Sequence, residues 1–135
     1  MNISLSTCFV QVHDPDLALA FYRDQLGLEV RNDVANEGFR WITVGSASQP
    51  DVAIVITNYV NGGPDDGNAL AALLAKGALN GVHFRSDDLN AMFEKLRDSG
   101  AEIVQEPTEQ FWGTRDFAVR DPSGNLVRID QPPAA

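Results

Sequence analysis

Along this chain, apolar and polar residues alternate in eight short runs, and apolar residues recur at helical spacing in two longer ones. Alternation over 4–8 residues is the pattern of a half-buried strand, and recurrence every three or four residues is that of an amphipathic helix. "STCFVQV" (6–12), "VRNDV" (30–34), "FRWITVG" (39–45) and "DVAIVIT" (51–57) read as strands in the first half. "GVHFR" (81–85), "AEIVQE" (101–106), "TRDFAVRD" (114–121) and "NLVRIDQ" (125–131) read as strands in the second. Asp14-Pro15-Asp16 opens the first helix: a carboxylate cap, then a proline where no amide donor is needed. Its apolar face is read as Leu17, Ala20, Phe21 and Leu28, and Gly27 as its left-handed stop. The second helix opens at Ser86-Asp87-Asp88, carries Leu89, Met92, Phe93 and Leu96 on one face, and stops at Gly100.

The order strand, helix, three strands therefore occurs twice, and the two copies superimpose in sequence. A shift of 72 places Leu17 on Leu89, Ala20 on Met92 and Phe21 on Phe93, and a one-residue slip then places Gly27 on Gly100. The expected fold is α+β: two βαβββ modules, at about 1–59 and 81–135, within one domain spanning 1–135. Residues of about 60–80 form the linker, with a short helix near 68–76. Alternation assigns faces. Cys8, Val10 and Val12 should lie under a helix, and Thr7, Phe9 and Gln11 on the opposite, concave side. Val82 and Phe84 should lie under a helix, and Gly81, His83 and Arg85 opposite. In the last strand Val127 and Ile129 point one way and Leu126, Arg128 and Asp130 the other, so Arg128 is expected to face a partly polar cavity. The directions of Trp41, Ile42 and Val44 are left open.

Composition narrows the function. With 135 residues, 44% of them hydrophobic and 21% charged, the chain can bury a core of ordinary size. A formal net charge of −9 argues against a nucleic-acid partner or an anionic membrane surface. The single cysteine, Cys8, cannot form an internal disulfide, which suits a cytoplasmic location. Neither a signal peptide nor a membrane span is expected from the pattern.

The motif V-x-D-x-x-x-A-x-x-F-Y-x-x-x-L-G is met by Val12, Asp14, Ala18, Phe21-Tyr22 and Leu26-Gly27. Trp112-Gly113 and Asp121-Pro122-Ser123-Gly124-Asn125 follow later. These motifs, in this order, resemble the vicinal oxygen chelate superfamily, which includes glyoxalases, extradiol dioxygenases and bleomycin-resistance proteins. The resemblance implies paired modules curled into a mixed-sheet cup, and commonly a homodimer. It also implies a divalent metal held by the first and last strands of each module. Carried over, those four positions are Thr7, Val55, Gly81 and Arg128. Valine and glycine side chains offer no donor, a threonine hydroxyl is a poor one, and arginine is a cation without a lone pair to give. No metal and no other cofactor is therefore expected.

Without a metal, the expected function is binding of a small molecule, of the kind by which bleomycin-resistance-type proteins sequester an aromatic or anionic drug-like compound. Phe9, Trp41, Phe111, Trp112 and Phe117 are candidate flat walls. Gln11, His83, Arg85, Arg115, Arg128 and Asp130 are candidate polar anchors, the arginines being suited to a carboxylate, sulfate or phosphate. The alternative is a glyoxalase-like lyase or dioxygenase with a displaced or absent metal site. A module that binds other proteins and no tight small ligand is a third possibility. No catalytic constellation stands out in the sequence.

Overall fold

The computed structural model describes residues 1–133. Its elements run β1 (Thr7–Gln11), α1 (Pro15–Leu19), β2 (Glu29–Asn36), β3 (Phe39–Gly45), β4 (Ala53–Thr57), α2 (Pro64–Ala75), β5 (Asn80–Arg85), α3 (Leu89–Asp98), β6 (Glu102–Glu109), β7 (Arg115–Arg120) and β8 (Leu126–Gln131). All eight expected strands are present. They form two four-stranded mixed sheets, ordered β1-β4-β3-β2 and β5-β8-β7-β6. In each, the first strand pairs in parallel with the last, and the remaining pairs are antiparallel. The repeat in the sequence is thus a repeat in topology, and the fold is α+β. The chain divides into two compact units, Met1–Ala72 and Leu73–Ala135.

In the first unit the helix-covered face of the sheet carries Val10, Val12, Ile42, Val44 and Ile56, all buried, together with Phe21 and Tyr22 from the helical segment. The Asp14 carboxylate caps α1, accepting from the amides of Asp16 (3.0 Å) and Leu17 (3.2 Å). From Ala20 to Gln25 the helix is π-helical, and the Leu26 amide reaches back five residues to the Phe21 carbonyl at 2.9 Å. The buried stripe is also offset by one position from the expected one. Ala18, Leu19, Phe21 and Tyr22 are inside, and Leu17, read from the sequence as part of the apolar face, is exposed. The slip that aligns Gly27 with Gly100 falls in the same stretch. Cys8 also departs from expectation. It lies in phase with Val10, but at an uncovered end of an edge strand, and it is exposed.

The β3 strand alternates cleanly. Ile42 and Val44 are buried on the helix side, and Trp41 and Thr43 occupy the other face. A bulge between Val30 and Asn32 turns Arg31 onto the β3–β4 loop, where it donates to the carbonyls of Val52 (2.8 Å), Ser46 (2.9 Å) and Gln49 (3.1 Å). The linker helix starts at Pro64 rather than 68. Pro64-Asp65-Asp66 forms its N-terminus, with proline at the first position and acidic residues in the first turn. Among the described residues no helix is long and apolar enough to cross a membrane.

In the second unit α3 covers Phe117, Val119, Val127 and Ile129, and Phe93 meets Phe117 edge-on at 5.3 Å. Asp88 caps α3 through the Ala91 amide at 3.1 Å. The β7–β8 turn is fixed by buried Asp121, whose Oδ1 accepts from the amides of Ser123, Gly124 and Asn125, each at 2.9 Å. Gly124 (φ 110°) lies against the end of α2, and a Cβ there would collide with the Leu74 carbonyl oxygen. Gly100 (φ 87°) has open space around its missing side chain. Gly100→Ala should therefore cost only the left-handed backbone penalty, about 1–2 kcal/mol. Gly124→Ala should cost clearly more, because backbone must move as well. Denaturant unfolding of the two variants checks the order; equal losses would contradict it.

Candidate functional site

The helix-free face of each sheet carries the candidate residues, and the two faces differ in chemistry. In the first unit the register sets Val55 between Phe9 and Thr43, and Thr57 between Gln11 and Trp41. Val55 and Thr57, on the central strand, are buried, whereas Phe9 is 67% exposed. Trp41 stacks at a tilt on Tyr59, with centroids 5.2 Å apart, and Tyr59 meets Phe39 edge-on at 5.2 Å. The result is an aromatic surface with one amide, Gln11, at its margin. Sequence reasoning found Phe9 and Trp41 but missed Phe39 and Tyr59; the aromatic spacing F-x-W in β3 was the available signal.

In the second unit the same face is polar, and Asp116 is its centre. Its side chain is nearly buried. Oδ1 accepts from Gln105 Nε2 and Gln110 Nε2, both at 2.8 Å, and Oδ2 accepts from Arg128 Nη1 at 3.2 Å. The same Arg128 nitrogen donates to Gln105 Oε1 at 3.1 Å. Arg128 thus points to the helix-free face as expected, and its partners there are Asp116 and Gln105. Strand phase could have found Asp116, which alternates with Ala118 and Arg120 against the apolar Phe117 and Val119. The two glutamines, in a bulged strand and a turn, gave no such signal.

A second carboxylate repeats the arrangement one strand over. Asp130 accepts from Arg85 Nε at 3.0 Å through Oδ1, and its Oδ2 lies 3.1 Å from His83 Nε2. The cross-strand register makes His83 the neighbour of Arg128, and Arg85 the neighbour of Asp130. Trp112 and Phe111 project from the β6–β7 turn, edge to face at 4.7 Å, and are 57% and 96% exposed. Gln110 ties the base of that turn to Asp116.

Two expected contacts belong elsewhere. Phe117 is fully buried against Phe93 on the helix-covered face, so it cannot serve as a wall on the other. Arg115 is in phase with Phe117 and reaches α3, where Nη2 meets Asn90 Oδ1 at 3.3 Å. Both were misplaced for one reason: each odd-numbered β7 side chain in this stretch points to α3.

The four positions that the resemblance gives to metal ligands do not fit a metal. In the first unit Thr7 stands opposite Ala53, and Val55 opposite Phe9. In the second, a Cβ at Gly81 would come within 3.0 Å of both Asn125 Cβ and the Leu126 carbonyl oxygen, and Arg128 is a cation bound to Asp116. Among the described residues no three of His, Cys, Asp or Glu converge as a metal site.

Burial alone pushes the Asp116 carboxyl up. The hydrogen bonds from Gln110 and Gln105, with the charge and hydrogen bond of Arg128, outweigh burial and hold it below its ordinary value. A carboxyl lowered by folding stabilises the fold above its unfolded value, and that contribution is lost as pH falls through the folded one. Asp116→Asn should therefore cost about 2 kcal/mol at pH 7. The gap to the parent chain should shrink as pH falls below about 4. Unfolding at several pH values measures it, and a gap independent of pH would contradict the assignment.

The chain resembles known proteins over nearly its whole length. A family model described as Glyoxalase/Bleomycin resistance protein/Dioxygenase superfamily matches residues 4–129. The crystal structure of UcmS2 shares 33% identity, with a TM-score of 0.82 over 96% of this chain and 98% of that one. That of TnmS3, described as an antibiotic binding protein from Streptomyces sp. CB03234, shares 28% identity with a TM-score of 0.75 over 98% of each chain. A probable lactoylglutathione lyase of Synechocystis sp. (strain ATCC 27184 / PCC 6803 / Kazusa) is 29% identical over 90% of both chains. With the repeated βαβββ topology and the extent of the family match, the chain belongs to the glyoxalase/bleomycin resistance protein/dioxygenase superfamily.

Proposed function

We propose that this protein binds a small aromatic compound without a metal, holding it rather than transforming it. The observation that carries the reading is the state of Arg128. A guanidinium committed to Asp116 and Gln105 stands where the family pattern calls for a donor to a cation, and Val55 and Gly81 add no donor of their own. The exposed rings of Phe9, Phe39 and Tyr59 and the half-buried Trp41, all in the first unit, suit a planar ligand. Trp112 offers a further aromatic surface in the second unit. The likeness to an antibiotic binding protein points the same way. A cytoplasmic location and a homodimer belong to the same reading.

The relative described as a probable lactoylglutathione lyase favours a second reading, a lyase. It requires a metal donor set, and among the described residues no three of His, Cys, Asp or Glu converge as one. Turnover of the glutathione hemithioacetal of methylglyoxal would establish it.

The first reading is tested by titrating the chain with a panel of planar aromatic antibiotics and with N-phenyl-1-naphthylamine, following tryptophan quenching and the rise in melting temperature. Saturable binding at one ligand per chain is expected. Trp41→Ala or Phe9→Ala should weaken it roughly tenfold or more. A panel in which nothing binds would overturn the proposal.

A further inference from the structure

We infer that Phe39, Trp41 and Tyr59 form a recognition site for positive charge, so that the aromatic compound held by the first unit is a cation, with its charge in or on the ring system. The inference rests on the small-molecule reading above and specifies the chemistry of the ligand. It involves the first unit alone.

The ground is the arrangement of three neighbouring rings. Tyr59 is the middle one, 5.2 Å from Phe39 at an interplanar angle of 87° and 5.2 Å from Trp41 at 33°. Phe39 and Tyr59 are each 39% exposed, and Trp41 is half-buried. The face of an aromatic ring carries the negative end of its quadrupole. A cation within about 6 Å of a ring centroid is attracted to that face, most strongly to that of Trp. The rings are also held in place before any ligand arrives. The Asn58 side chain, next to Tyr59, accepts from the Arg40 amide (2.9 Å) and donates to the Gly38 carbonyl (3.3 Å), on either side of Phe39. The Tyr59 amide donates to Thr57 Oγ1 at 3.0 Å. Fixing the rings in this way lowers the entropy lost on binding.

The charges of the first unit favour the same ligand. Residues 1–72 contain nine acidic residues, three arginines and no lysine, a formal net charge of −6. Each arginine is already engaged: Arg23 with Asp24, Arg31 with the carbonyls of Ser46, Gln49 and Val52, and Arg40 with Asp16 and Asp33. Among the described residues a cation lies over a ring at Arg97 and Phe93, in the second unit, and none lies over the three rings. The rings thus stand unneutralised on an acidic unit, which draws cations toward it and repels anions.

Two probes of the same shape provide the test: acridine, uncharged in mildly alkaline buffer, and N-methylacridinium, a permanent cation. Titration followed by tryptophan and probe quenching should show the cation binding at least about fivefold tighter to the parent chain. Most of that preference should persist at about 0.5 M salt, which screens the field of the unit but not a contact with a ring face. Trp41→Leu keeps an apolar side chain and removes the ring; it should weaken both probes and bring their affinities within about twofold. Phe39→Leu, at a more exposed ring, should reduce the ratio with little change in melting temperature, and Trp41→Phe should retain part of it. Equal affinities in the parent chain, a preference abolished by salt, or one that survives both leucine variants would overturn the inference and leave the small-molecule reading intact. Failure of both acridines where N-phenyl-1-naphthylamine binds would do the same, and failure of all three probes would overturn the two together.

Discussion

Everything on the polar face of the second module depends on how one buried carboxylate, Asp116, is satisfied. A charge in that position is costly to bury unless it is paired and hydrogen-bonded. Two glutamine amides and a guanidinium meet that requirement. In doing so they fix three features at once. Gln105 is set in the bulged strand β6, the turn bearing Phe111 and Trp112 is anchored at Gln110, and Arg128 is drawn across from β8. Removing any one partner leaves the others short of a bond, so the face behaves as a unit.

That unit occupies the β8 position that the family resemblance gives to a metal ligand, without any change of fold. The sheet still presents a β8 residue at the family's ligand position, but the residue is a cation with a carboxylate of its own. The opposite strand offers Gly81, packed too closely against Asn125 and Leu126 for a side chain to enter unopposed. The first module contributes Thr7 and Val55 at the corresponding positions, a poor donor and none. A fold whose strands hold positions rigidly can exchange one site chemistry for another by changing side chains at those positions.

The architecture was largely legible in the sequence because it rests on local signals that agree with one another. Alternation placed all eight strands, the Asp14 and Asp88 caps placed the helix starts, and Gly27 and Gly100 placed their ends. What failed to show was set by tertiary geometry. Nothing in "AFYRDQ" announces a π-helical turn, and residue spacing alone left the buried face one position off, so that Leu17 was assigned inward in place of Ala18. Alternation in β7 was sufficient to send Arg115 and Phe117 toward α3, but treating them by residue type as an anchor and a wall overrode it. The partner of Arg128 was missed because Asp116 is distant in sequence and its two glutamines carry no charge to draw attention. Arg85 and Asp130 were both assigned to the helix-free face in advance, and the β5–β8 register then brings them together.

The two modules also show how one topology serves unlike surfaces. The helix-covered faces are nearly interchangeable, each an aliphatic layer under aromatic rings, because both must fill the same space. The helix-free faces carry no such constraint, and there one is aromatic and the other ionic. Function should be sought where the repeats diverge.

The account stands or falls on whether Arg128 excludes a metal. The direct measurement is the metal content of the purified chain after incubation with nickel, zinc, manganese and iron and removal of free ions, by elemental mass spectrometry. No ion in stoichiometric amount is predicted. One transition ion per chain, retained in the parent and lost on substitution of residues in β1, β4, β5 or β8, would contradict it.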